Sequence, residues 1–395
     1  MNVSATGSDR PKDRSVVPDS ALRFIGFLAF FDRYGTPPML LILAAVTQLS
    51  LTQAVQLVAG YSLLYAVGQP LWGLLSDRFG RLSVLRLALL GAVLGSLAST
   101  LFVAYTPLLI TRCFTGLMFG ALYPTLLTLL GDTRTGIHRA RGLSDLQIYS
   151  SLGTTLATLS AGTLAAVIDW RLVFALPALG ALAALYSLRK VRDVTPERRR
   201  FSLRLAFTNS TLVLYLVVFI EGALLMGLLT YIVPALQDEQ IDITLAGFLG
   251  CGFALGVILG ARLMRRLVAH FSRSMLIFIG SLVLAVGFAL SAFWYSVTAL
   301  TLTAVLMGAT NAIMHSSMQG WATDVAPTAR ATTVSFFVFS LFFGASVGTW
   351  VTAGLAESGQ YAQIFHYGFY AALVLSLLAT FAHELWHRRN LKDAV

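Results

Sequence analysis

The stretch Gly73-Leu74-Leu75-Ser76-Asp77-Arg78-Phe79-Gly80-Arg81 decides how this chain is read. It sets charged residues and glycines side by side between two long apolar segments. Glycine permits a sharp backbone reversal and a close approach of neighbouring chains. Asp and Arg are costly in hydrocarbon, so they mark a point where a lipid-embedded chain meets water. The stretch therefore reads as the reversal between two membrane spans.

Composition extends this reading to the rest of the chain. Of 395 residues, 57% are hydrophobic and 12% charged, whereas soluble domains carry about 25% charged residues. Runs of about 20 apolar residues, the length of one bilayer crossing, follow one another almost end to end. They are continuous rather than alternating, which excludes a transmembrane barrel. Twelve spans are expected, over 22–45, 53–75, 84–104, 107–131, 145–168, 171–189, 209–234, 244–266, 274–293, 296–320, 331–356 and 363–386. Residues 1–20 are polar, with no short apolar stretch and cleavage site, so no cleaved signal peptide is expected.

The net charge of +10 is a topology signal, and no nucleic-acid partner is expected. Arg33 and Arg112 lie inside spans and Arg171 stands on one side; every other Lys and Arg falls on the opposite side, with both termini. By the positive-inside rule that side is the cytoplasm. The longest basic loop, Arg189 to Arg204, contains Lys190, Arg192, Arg198, Arg199 and Arg200 and divides the spans six and six. Five segments follow: a cytoplasmic tail at 1–20, a six-helix bundle at 21–189, a basic linker at 190–207, a second bundle at 208–386 and a tail at 387–395. The linker's charges suit anionic lipid head groups. Gly116 and Asp132 recur as Gly308 and Asp324 with the same spacing, and Gly73 aligns loosely with the stretch from Gly260 to Arg266, which lacks an acid.

Gly73 to Arg81 resembles the signature loop between the second and third helices of the major facilitator superfamily, with Leu82 where a further basic residue usually stands. Arg112-Cys113-Phe114-Thr115-Gly116-Leu117-Met118-Phe119-Gly120 is similar to the superfamily's span-four motif. Asp32 ahead of Pro37-Pro38 resembles the span-one pattern of the drug:proton antiporter branch. Phe219-Ile220-Glu221-Gly222 with Tyr231, and the stretch from Gln319 to Arg330 with Pro327, look like bacterial sugar-efflux and drug-efflux permeases. Span five departs from the antiporter pattern: Trp170-Arg171 and Phe174 are present, but Ala157-Thr158 replaces Gly-Pro and Ala161-Gly162 replaces Gly-Gly. The resemblance implies an all-α polytopic membrane protein with 12 transmembrane helices in two pseudo-symmetric six-helix bundles. It also implies a monomer of the bacterial inner membrane, with its site between the halves near midplane.

Intramembrane ionisable residues are candidates for function, because each needs water or a partner. Asp32 lies about ten residues into span one, roughly 15 Å deep at 1.5 Å per residue. Glu221 lies at similar depth in span seven, so the two carboxyls are expected to face a central cavity at matched height. Burial penalises the ionised form of a carboxyl, the property proton coupling needs. The competing role is a structural hydrogen bond between helices. Arg112 is the expected partner of Asp32; Arg33 is not, since adjacent helical residues do not share a face. Pro37-Pro38 must break the hydrogen-bond ladder of span one.

Tyr61, Tyr65 and Gln69 recur at helical spacing in span two, as do Asn311, His315 and Gln319 in span ten. With Met226 they are the expected substrate residues, and His315 is also suited to relaying protons. Phe336, Phe337, Phe339, Phe342 and Phe343 are expected to pack or face lipid. Gly73, Asp77, Arg78, Gly80 and Arg81 form the expected conformational latch, with Asp77 near the start of span eleven and the arginines reaching Asp132 or Asp324. Cys113 and Cys251 show no disulfide or metal spacing. No cofactor is expected, and no nucleotide-binding Gly-rich Lys motif is present.

The function expected is proton-coupled antiport, exporting small organic molecules by alternating access. The alternatives are an uptake symporter for a sugar or organic acid and, remotely, a membrane sensor or enzyme on the same fold.

Overall fold

The computed structural model describes residues 17–134, 136–191 and 206–393. The side chain of Asp77, most of the 190–207 linker and all but the last residues of the 1–20 tail lie outside the described set.

Among the described residues, ten helices are long and apolar enough to cross a membrane: Arg81–Leu101, Tyr105–Thr133, Arg141–Asp169, Arg171–Leu188, Asn209–Asp238, Ile243–Leu267, Arg273–Phe293, Val297–Asp324, Thr332–Val351 and Tyr361–Arg389. They correspond to expected spans three to twelve. Span two is one helix, Leu51–Phe79, made less apolar by Gln53, Gln56, Ser62 and Gln69. It begins with a reciprocal cap in which Ser50 and Gln53 each bond the other's backbone amide, 3.1 Å apart in both directions. Span one is broken into Asp19–Gly35, Pro37–Met39 and Leu40–Thr47. The break falls where Pro37 and Pro38 remove amide donors.

The lipid-facing surfaces are apolar as well as the interior. In Arg81–Leu101, Leu87, Leu90, Leu94, Leu97 and Leu101 recur at helical spacing and are exposed. The buried face combines Leu82, Leu85 and Leu89 with the small residues Ala88, Ala92, Ser96 and Ser99. Small and hydroxyl side chains pack helix on helix where apolar contact gives no advantage over lipid.

The two groups of six spans are joined along three seams. Leu51–Phe79 packs against Arg330–Val351, the second half of span five packs against Ile243–Gly250, and the Pro37 break packs against the end of span seven. Away from the termini the fifth and eighth spans touch closely: Thr163 bonds Thr244 at 3.3 Å, and the Cys251 thiol donates to the Thr155 carbonyl at 3.5 Å. Backbone contact decides two glycines. A Cβ on Gly116 would strike the Tyr61 carbonyl, and one on Gly308 would strike that of Phe253. The two contacts occupy equivalent places in the two halves. Gly260, which meets Ala309 as Gly68 meets Leu117, is the repeat mate of Gly68 rather than of Gly73.

The opening stretch is less of a loop than its composition suggests. Gly73 to Phe79 completes the second span, and Arg81 begins the third. The reversal is confined to Gly80, whose φ of +97° is a glycine conformation. The last helix, Tyr361–Asp393, continues through most of the segment expected as a C-terminal tail.

Candidate functional site

Span one carries Asp32 into the N-terminal group of helices, where span four brings Arg112 to meet it. Arg112 Nη1 lies 3.6 Å from Asp32 Oδ1, and both side chains are 1% exposed. Arg112 Nη2 also reaches the Thr36 hydroxyl at 3.5 Å, beside the Pro37 break. The guanidinium is sandwiched by aromatic rings, with Tyr61 at 4.6 Å and Phe174 at 4.5 Å from their centroids. Both Asp32 oxygens lack a hydrogen-bond partner. The attraction is therefore chiefly Coulombic, with the Tyr61 hydroxyl also close to the carboxyl, and a proton on Asp32 would discharge it.

A second pair occupies the C-terminal group. Glu221 Oε1 lies 3.0 Å from His315 Nδ1, with Glu221 wholly buried and His315 half-buried. Both helices widen into π-helical turns here, over Gly222–Gly227 and Asn311–His315. Such turns displace the backbone by an extra residue and favour functional positions. Span-position reasoning brought the two carboxyls to one cavity. The structure instead gives each its own buried cationic or imidazole partner, because a paired group is far cheaper to bury than a lone one.

The cavity between the halves is elsewhere, on the side away from the termini. It encloses about 50 Å³ and is lined by Arg33, Tyr34, Pro37, Ser62, Thr154, Met226, Phe253 and Thr349, among others. Of the expected substrate residues, only Met226 lines it. Tyr61 belongs to the Asp32 cluster, and Tyr65 is buried edge-on against Phe342 at 4.8 Å. Gln69 donates to the Gly120 carbonyl at 3.0 Å. Asn311 is half-buried with Oδ1 unpartnered, and Gln319 is exposed.

Two residues take roles the sequence did not assign them. Arg33, set aside there as a partner of Asp32, lines the cavity, and Phe342, expected there to pack or face lipid, packs on its guanidinium. The adjacency of Arg33 to Asp32 hid the first, although the helical face rule that separated them was itself the signal.

The latch residues divide. Arg81 Nε lies 3.3 Å from Asp132 Oδ2, and its Nη1 donates to the Ser76 hydroxyl at 2.6 Å. Asp324 does not join them: it is paired with Arg273 at 2.8 Å. The two ion pairs bridge the same sequence spacing, 51 residues, and are repeat mates. Each of these two ion pairs lies within one half. Arg78 is exposed, over the Phe79 ring at 5.4 Å.

The family model described as Major Facilitator Superfamily matches residues 22–240 and again 211–394. The chain belongs to the Major Facilitator Superfamily. Within the superfamily it is similar to a triacylglyceride transporter of Mycobacteroides abscessus, 37% identical over 28% of this chain and 21% of the relative. It is also similar to the quinolone resistance protein NorB of Staphylococcus aureus, 30% identical over 38% of this chain and 31% of the relative. The chain thus spans less than a third of either relative. Among solved structures, that of the nucleoside transporter NupG superposes with a TM-score of 0.78 at 12% identity, over 92% of this chain and 99% of that one. A bacterial homolog of the lysosomal transporter Spinster, described as inward-facing and unoccupied, gives 0.71 at 20% identity, over 97% and 99%. The two structural likenesses show a shared fold.

Proposed function

We propose that this superfamily transporter exchanges protons for small organic molecules, exporting the latter from the bacterial cytoplasm, with both termini on the cytoplasmic side. The observation that carries the reading is the Asp32–Arg112 pair. Its charges are buried beside the Pro37 break of span one, where the backbone has a ready point of bending. Protonation of Asp32 releases Arg112, and the freed cation changes what the break and the neighbouring Thr36 are held against. Glu221 with His315 is the second proton site. The partial similarity to a quinolone resistance protein supports export. Arg81–Asp132 and Arg273–Asp324 serve as paired latches at the terminus-bearing ends of the two halves.

Proton flux across inside-out vesicles tests the reading. The vesicles are acidified by respiration and challenged with drugs, sugars and metabolites. Proton release on adding a compound, lost in Asp32→Asn, is the expected result. Substrate-driven proton movement into the cell, seen in right-side-out vesicles, would replace export with uptake by symport.

A further inference from the structure

Arg33 is the neighbour of Asp32 in sequence but belongs to a different environment. It is 8% exposed, and its guanidinium lies 3.8 Å from the Phe342 centroid and 4.6 Å from that of Tyr65. Its Nε and Nη1 have no hydrogen-bond partner, and no carboxylate among the described residues lies in ion-pair contact with it. The one acid close in sequence, Asp32, is engaged by Arg112. Stacking on an aromatic ring contributes about 0.5–2 kcal/mol, while a buried unpaired charge costs several kcal/mol. The rings therefore hold and orient this cation without neutralising it.

The cavity that Arg33 lines contains no acid. Ser62 and Thr230 supply hydroxyls to its wall, Thr154 and Thr349 donate theirs to the Ser150 and Gly227 carbonyls, and Met226, Val233 and Phe253 supply apolar surface. A cationic ligand would meet uncompensated repulsion there. An anionic head group would satisfy the unpaired Arg33 donors, and the Ser62 and Thr230 hydroxyls could donate to its remaining lone pairs.

We infer that Arg33 is the recognition point for a carboxylate, sulfonate or phosphate head on an amphipathic substrate, with the phenyl ring of Phe342 holding the guanidinium in place. This names the substrate class of the transport site proposed above and rests on that reading. About 50 Å³ admits the head group in this conformation, and the apolar body extends along the seam between the halves.

Purified full-length protein, titrated calorimetrically with three probes of one aromatic body, tests the inference. The probes are 2-naphthoate, 2-naphthol and 2-naphthylmethylammonium. Naphthoate is expected to bind more tightly by about tenfold or more, the factor one charge-assisted hydrogen bond confers. Arg33→Gln should erase the preference while the protein stays monodisperse, and Arg33→Lys should keep part of it. Equal binding of the three, no naphthoate binding at millimolar concentration, or a preference that survives Arg33→Gln overturns the inference. Mixed micelles separate two sources of the same head group. Competition by phosphatidylglycerol but not phosphatidylcholine assigns the site to an anionic lipid, and its absence to a soluble anion; either supports an anion subsite. No proton gradient enters these titrations, so silence in the vesicle assay alongside a naphthoate preference would defeat antiport and leave the subsite standing.

Discussion

The Glu221 carboxyl and the His315 imidazole meet at 3.0 Å where both of their helices widen into π-turns. Neither widening is required by a proline. One turn ends at His315 and the other begins directly after Glu221, and such turns are frequent at functional sites. Glu221 Oε2 has no partner, so the carboxyl retains an oxygen able to receive a proton while the other faces His315.

Glu221→Gln preserves size and a hydrogen bond to His315 but removes the charge. The variant should fold, and the number of protons moved per substrate molecule should fall. A proton-to-substrate ratio unchanged from wild type, measured in proteoliposomes with a pH-sensitive dye, would remove Glu221 from the coupling scheme.

Arg112→Gln leaves the Asp32 carboxylate buried without a counter-charge. Removing one member of such a pair costs about 3–5 kcal/mol, so unfolding in detergent should shift strongly to lower denaturant. Asp32→Asn combined with Arg112→Gln should recover most of that loss. Additive effects of the two substitutions would show that the residues do not act as a pair.

The two repeat-related latches should differ in strength. The Arg81 side chain is 7% exposed, whereas that of Arg273 is 36% exposed. An exposed pair contributes about 0–1 kcal/mol, so Arg273→Gln should barely move the melting temperature. Arg81→Gln should lower it clearly and should also change the accessibility of a cysteine probe placed near Gly73, which faces Ser335 across the seam between the halves. Equal and small effects would reduce both contacts to surface ion pairs.

Gly80→Ala forces a side chain onto a φ of +97° and should cost about 1–3 kcal/mol. Gly116→Ala drives a methyl group into the Tyr61 backbone and should cost a similar amount, about 1–3 kcal/mol. Gly354→Ala is the control, since a Cβ there meets nothing within 4 Å. Melting temperatures of the three purified variants should separate the first two from the third.

The order of the helices, the break at Pro37 and the presence of a reversal between Gly73 and Arg81 were legible in the sequence because each is local; that the reversal is confined to Gly80 was not. Hydropathy over about 20 residues determines whether a segment crosses a bilayer. A proline removes its own amide donor, and glycine alone adopts the backbone that Gly80 needs. The Asp32–Arg112 pair was legible for a related reason: two buried charges of opposite sign in one bundle have few other places to go. Which remaining base meets which acid was decided only in the tertiary structure. Asp324 chose Arg273 over Arg81, and Glu221 chose His315, across 51 and 94 residues of chain. Those distances depend on how twelve helices rotate against one another, and the rotations follow from small-residue contacts such as Gly116 on Tyr61. The isolation of Arg33 follows in the same way: one residue of helical rotation, about 100°, turns it from the Arg112 cluster toward the seam between the halves.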